Sequence, residues 1–188
     1  MSERARDPGT RRATLCTVGH STRTIAEFVD LLRSGGVARV VDVRRIPKSR
    51  RNPDYDLERL PVLLAGHGIG HEYVAELGGR RGRSREVEPD VNGFWENRSF
   101  HNYADHALSD EFQAGLARLL ALADRQRCAI MCSEAVWWRC HRRIIADHLI
   151  ARGHEVLHLM SATQTTRAEL TPGAVVDGAR VTYPRCAR

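Results

Sequence analysis

Apolar positions along the chain gather in short runs, parted by polar turns rich in glycine, and the runs alternate between two periods. Thr14-Leu15-Cys16-Thr17-Val18 reads as a first strand. It ends at Gly19-His20-Ser21, and Thr22 or Thr24 can cap the helix that follows. That helix carries Ile25, Phe28, Val29, Leu31 and Leu32 on one face and stops at Gly35-Gly36. Residues 37–43 make a second strand, whose Val40-Val41-Asp42-Val43 suits a buried parallel position. After a basic loop closed by Pro53, Leu57, Leu60, Leu63 and Leu64 predict a helix, and residues 69–74 a third strand. Residues 75–100 lack clear periodicity and are expected to be a lid or a disordered segment. Phe112, Leu116, Leu119, Leu120 and Leu122 mark a long helix, residues 128–132 a fourth strand, residues 139–152 a helix, and residues 155–159 a fifth strand.

This order predicts one α/β domain over residues 14–160. It should have three layers, α/β/α, around a mostly parallel five-stranded sheet. The arrangement is Rossmann-like but without a dinucleotide fingerprint, since no G-x-G-x-x-G follows the first strand; nor is there a phosphate-binding G-x-x-x-x-G-K-[ST]. NAD and ATP motifs are therefore absent. Residues 1–13 are expected to form a disordered basic tail. Residues 161–188 are a C-terminal extension of the same domain, adding an edge hairpin or wrapping the surface. No repeat or linker argues for a second domain.

Composition changes this picture little. With 42% hydrophobic and 28% charged residues, the 188-residue chain is globular. It has no apolar run long enough for a membrane span and no apolar leader, so a cytoplasmic location is expected. Five irregularly spaced cysteines do not suggest a disulfide framework. The net charge of +6 favours anionic partners, a small molecule or nucleic acid, but 28 of the 29 basic residues are Arg. Such a bias is expected to leave many of them as ordinary surface. Oligomeric state is open.

The chemistry-bearing residues collect at strand ends. His20 follows the first strand, Asp42 and Arg44 close the second, and Cys132-Ser133-Glu134 close the fourth, with Cys140-His141-Arg142 opening the next helix. In a parallel sheet these ends share one edge, where ligands bind. Cys132 is a candidate nucleophile beside cations that would lower its pKa, or a buried apolar cysteine. Cys132, Cys140 and His141 are alternatively ligands for zinc or iron, with His20 or Glu134 as further donors. Glu134 is an acid–base candidate or the partner of Arg139 or Arg142. Asp42 needs a partner, and Arg44 or Arg50 can supply it. Arg44, Arg45, Lys48, Arg50 and Arg51, with Arg80, Arg81, Arg83 and Arg85, suggest an anion-binding rim or solvated charge. Trp137 and Trp138 can stack on a base or pack the loop, and Tyr73, Phe100 and Tyr103 pose the same choice.

Thr17-Val18-Gly19-His20-Ser21, Val41-Asp42-Val43-Arg44 with Pro47, Ser49, Arg50, Asn52 and Pro53, Glu76-Leu77-Gly78-Gly79-Arg80, residues 100–104, and Cys132-x-Glu134 with Cys140-His141-Arg142 together resemble the family called domain of unknown function 488. The resemblance runs over residues 14–160. It implies a compact α/β domain and no settled reaction. A weaker likeness is to rhodanese-type sulfurtransferases and cysteine phosphatases, which hold an anion in a tight loop after a strand-end cysteine. Six residues separate Cys132 from Arg139 here, and the loop has Val136, Trp137 and Trp138 in place of glycine.

The reading is therefore an enzyme-like protein with a pocket at the C-terminal edge of the sheet. Cys132, Glu134, His141, His20 and Asp42 are its catalytic candidates. Arg44, Arg50, Arg142, Arg80 and Tyr103 are candidates for binding an anionic, phosphate-bearing substrate. A nucleic-acid-binding module and a metal-binding redox or regulatory protein are the alternatives.

Overall fold

The computed structural model describes residues 12–185. Most of the expected tail, residues 1–11, and Cys186 lie outside the described residues. Strand β1 (Thr14–Gly19) leads to helix α1 (Ile25–Ser34), capped by Thr24, whose side chain and Glu27 bond each other's backbone N–H in a capping box. Gly36, with φ +62°, turns the chain out of α1 in a conformation that glycine adopts without strain. Then follow β2 (Arg39–Asp42), α2 (Leu60–Ala65) and β3 (Gly70–Tyr73). Next are α3 (Arg98–His106), α4 (Asp110–Ala123), β4 (Cys128–Cys132), α5 (Arg142–Ala151) and β5 (Glu155–Ser161).

The strands lie in the order β3-β2-β4-β1-β5, all parallel, and β6 (Gln164–Arg167) pairs antiparallel with β5 as a sixth strand. The predicted parallel five are present. The sixth comes from the C-terminal extension, which also forms the separate hairpin β7 (Val175–Asp177) and β8 (Arg180–Thr182). The extension thus both adds an edge strand and covers the surface.

Alternate residues of the strands face opposite ways, and two cores result. Cys16, Val18, Val40, Ala129 and Met131 pack with Phe28, Leu32, Leu60 and Leu64 of α1 and α2. Leu15, Val41, Cys128 and Ile130 pack with Tyr103, Phe112, Leu116, Ile145 and Leu149 of α3, α4 and α5. This division follows from crossover handedness. From β1 through β2 to β3 the chain moves one way across the sheet, whereas β4 to β5 moves the other way, so right-handed connections place their helices on opposite faces.

The segment 75–100 is ordered by polar hooks rather than by an apolar stripe. Arg81 donates to the carbonyls of Ala75, Glu76 and Gly78 and to the Glu111 carboxylate. Buried Asn92 donates to Asp105 and accepts from the Tyr183 N–H. Trp95 stacks on Phe100. The segment is structured in the fold, and its two ends, Gly79-Arg80 and Ser99-Phe100, line the cleft described below. Helix α3, which the sequence reading passed over, is largely polar, yet Phe100, Tyr103, Ala104 and Ala107 do recur at helical spacing behind the Asn97 cap. The C-terminal segment is fastened to α5 by Asp147, which accepts from the Thr171 N–H and the Tyr183 hydroxyl.

Three histidines are buried neutral. Burial lowers the pKa of His148 and of His158 to about 3, and that of His20 to about 4, from the ordinary 6.5. In the unfolded chain these imidazoles take up protons near 6.5, while in the fold they stay neutral until about 3 to 4, so stability is lost as pH falls through that window. The urea midpoint should drop between about pH 7.5 and about pH 5, each histidine contributing on the order of 1 kcal/mol, and His148→Leu should flatten part of the drop. A midpoint that does not move over this range would contradict their burial as neutral groups.

Candidate functional site

Adjacent strands β1 and β4 send their following helices to opposite faces, which opens a crevice between their C-terminal ends. The two loops are stitched across it. His20 N–H donates to the Cys132 carbonyl at 3.0 Å, and Ser21 N–H to the Ser133 carbonyl at 3.1 Å. This approach requires Gly19, where a Cβ would stand 1.9 Å from the Glu134 carbonyl oxygen. Among the described residues, the non-glycine residues with positive φ are Ser21 and Arg80, and both flank this crevice.

Asp42 ends β2 fully buried and is gripped by Arg44. The Arg44 Nε bonds both carboxylate oxygens at 2.9 and 3.1 Å, and Nη2 bonds Oδ2 at 2.6 Å. The expected alternative partner, Arg50, is exposed on the loop. Burial works to raise the Asp42 pKa, but His71 and Arg44 outweigh it and hold the carboxyl below its usual range. Arg44 also donates to the Tyr55 carbonyl and, through Nη1, to His20 Nε2 at 3.4 Å. Of its five N–H groups, one on Nη1 is left for the crevice. His20 donates Nδ1–H to the Ser21 carbonyl and stacks on Tyr55. Its remaining lone pair faces Arg44 and its pKa is about 4, so His20 orients Arg44 and is not a free base at neutral pH.

The second half of the site rests on Arg142, which is 1% exposed. Its Nε donates to the Cys140 sulfur at 3.2 Å and its Nη2 to the Glu134 backbone carbonyl. Among the described residues no carboxylate pairs with it. The sequence reading paired Glu134 with Arg139 or Arg142 through its side chain. Instead the Glu134 carboxylate turns to the Val136 N–H at 3.4 Å, and only its backbone carbonyl meets Arg142. A guanidinium cannot be neutralised by losing its proton, so it favours a negative charge on the sulfur that it contacts. Burial alone would raise the Cys140 pKa, but the adjacent Cys132 thiol and Arg142 bring it down to about 6. Cys132 is pushed the other way, to about 12, first by the neighbouring Cys140 sulfur and then by burial. Arg142 thus favours a thiolate on Cys140, with Cys132, the nucleophile expected from sequence, directly beside it.

His141 completes the group. Its Nε2 donates to the Val43 carbonyl at 3.1 Å, one residue from Asp42, and its Nδ1 faces the Cys140 sulfur at 3.6 Å. Gly79 makes room for it, since a Cβ there would lie 2.7 Å from Nδ1. Tyr103 lies beside His141, ring centroids 4.8 Å apart, but its hydroxyl donates to the Leu77 carbonyl. It offers the site a ring face and no free donor.

These groups line one cleft of about 410 Å³. His20, Cys132, Cys140 and His141 stand in its wall with five cations, Arg44, Arg45, Lys48, Arg80 and Arg139, against the single carboxylate of Glu134. The two basic loops thus meet here, though not with the residues first singled out. Arg50 and Arg142 are not in the wall, Arg81 is committed to the backbone, and Arg83 and Arg85 line other depressions. Trp137 stacks on His158 at 4.3 Å, while Trp138 is exposed. Ser99 and Phe100 complete the wall from α3; Phe100 is a stacking candidate from sequence, and Ser99 is not singled out there.

Fold and site together define an α/β domain with a cysteine–histidine group at the C-terminal edge of a parallel sheet. The chain belongs to the family described as Domain of unknown function DUF488, whose model matches residues 24–149. No curated protein and no solved structure matches it. Among the described residues no helix is long and apolar enough to cross a membrane.

The charge assignment has a direct test. Alkylation of Cys140 by iodoacetamide, followed by mass spectrometry, should rise with pH around a midpoint near 6 and not near the usual thiol value. In Arg142→Met the midpoint should move up toward ordinary thiols. Cys132 should react slowly throughout. Equal midpoints for the two cysteines would contradict the assignment.

Proposed function

We propose that this cleft is an active site for an anionic substrate carrying a phosphate or similar oxyanion, with Cys140 as its nucleophile. The observation that carries the reading is the buried Arg142, whose one charge partner among the described residues is the Cys140 sulfur. It keeps the sulfur in its nucleophilic form at the floor of a cationic cleft. The Cys140 sulfur would form a bond to the electrophilic atom of the substrate, and the leaving group would depart with the proton held between His141 and the thiols. His141 is fixed for that exchange by the Val43 carbonyl. The remaining Arg44 N–H, with Arg80 and Arg139, would bind the oxyanion, and Asp42 and His20 would orient Arg44. Glu134 faces the same space and is the carboxylate available for a second proton transfer.

The alternative of a nucleic-acid-binding module without catalysis retains exposed Trp138 and the outer arginines. It loses Trp137 to His158 and Arg81 to the backbone. It also gives no account of a charged sulfur beneath the cations.

Inorganic phosphate and pyrophosphate should protect Cys140 from alkylation in a saturable way. Arg80→Ala and Arg139→Ala should weaken that protection without changing the unprotected rate by more than a few fold. If neither anion protects, while single-stranded oligonucleotides bind with a steep loss of affinity in salt, the enzyme reading fails in favour of the binding module.

A further inference from the structure

His141 and Cys140 present each other with a difficulty. The Nε2–H of His141 is committed to the Val43 carbonyl, so the lone pair of the neutral ring lies on Nδ1, and Nδ1 faces the Cys140 sulfur at 3.6 Å. Two electron-pair donors aimed at one another at that distance are ready to share a cation. A proton is one such cation. A metal ion is the other, and one edge of the site that it needs is already present, independently of any substrate.

We propose that Cys132 Sγ, Cys140 Sγ and His141 Nδ1 form a three-ligand site for a thiophilic divalent cation of the zinc class, with its fourth position open to the cleft. The three donor atoms lie within 4.8 Å of one another. Zinc bonds of about 2.3 Å to sulfur and about 2.05 Å to nitrogen, at the tetrahedral angle, set an edge of about 3.6 Å between the two donors. The Cys140–His141 separation of 3.6 Å already has that length. Closing the site asks only that the Cys132 sulfur draw inward. The bond from His141 to Val43 fixes the ring and its tautomer, as the outer partner of a metal-bound histidine does. Arg142 Nε bonds Cys140 from behind and leaves the cleft-facing side of the sulfur free. The other donors considered from sequence are excluded: the His20 lone pair faces Arg44, and the Glu134 carboxylate lies outside the three-atom group.

Counting charges defines the fourth ligand. Two thiolates neutralise a divalent cation, which leaves the buried positive charge of Arg142 unmatched. An anion entering from the cleft, a hydroxide or an oxyanion, restores the balance. Metal and proton compete for the same lone pairs, so the metal-bound form has no free nucleophile. Zinc would act here as an inhibitor of the thiol chemistry or as a Lewis acid in its own right.

The full chain, reduced and stripped of metal, should be titrated with zinc against a chromophoric chelator, and separately with cobalt. One zinc per chain is expected, with loss of stoichiometric binding in Cys132→Ser and in His141→Gln. Cobalt should give the sulfur-to-metal charge-transfer band and the intense visible bands of tetrahedral coordination. This second readout uses the unaltered protein, so a variant that fails to fold does not decide the matter. Bound zinc should also block alkylation of both cysteines. No binding, binding kept in both variants, or a cobalt spectrum without thiolate character would overturn the site. A metal-free protein whose Cys140 still alkylates at low pH would leave the nucleophile reading standing alone.

Discussion

A fully buried arginine with no carboxylate partner among the described residues is the constraint on which the site depends. Placing Arg142 under the sheet edge costs solvation, and a negative charge beside it offsets that cost most effectively. The groups in reach are the Cys140 sulfur and a peptide carbonyl. The contact with Arg142 therefore favours ionisation of Cys140 and opposes it at the neighbouring Cys132. The chemistry is a consequence of packing: α5 begins at Arg142, and its buried face carries the guanidinium into the core along with Ile145 and Leu149.

The opposite wall works by the complementary rule. There the buried charge is a carboxylate, Asp42, and it is met at bonding distance by Arg44. That pair is saturated by design of its neighbours, with Tyr55 and His20 taking most of the remaining N–H groups. Behind one side of the cleft thus lies a closed ion pair that fixes geometry, and behind the other a guanidinium that meets sulfur in place of a carboxylate. Their junction is the His141–Val43 bond, which ties the helix after β4 to the end of β2. Because β2 and β4 are hydrogen-bonded neighbours, this junction inherits the rigidity of the sheet.

Much of this was legible in the sequence. Strand periodicity placed β1, β2, β4 and β5 within a residue or two, and the convergence of His20, Asp42, Cys132 and His141 followed from the parallel topology alone. What the sequence did not give was the assignment of charge among residues of the same type. Cys132 and Cys140 both precede helix α5 and both have arginines nearby in the chain. Only the direction of the Arg142 side chain separates them, and no spacing rule carries that. Likewise Arg50 and Arg44 looked equivalent as partners of Asp42, until the loop turned one inward and the other to solvent. The conformation of segment 75–100 is not legible in the sequence because it comes from side-chain to backbone bonds, chiefly those of Arg81, which leave no apolar period.

Two glycines show how the loops and the site were shaped together. Gly19 lets the β1 loop pass beneath the Glu134 carbonyl, and that residue's carbonyl is the one Arg142 holds. Gly79 lets the loop that carries Arg80 close over Nδ1 of His141, bringing a cation to the cleft wall without filling the space beside the sulfur. Side chains at either position would push apart elements that the buried arginine needs in contact. The glycine pattern, the buried guanidinium and the fixed imidazole are therefore parts of one arrangement. It holds two largely buried cysteine sulfurs in the wall of a basic cleft.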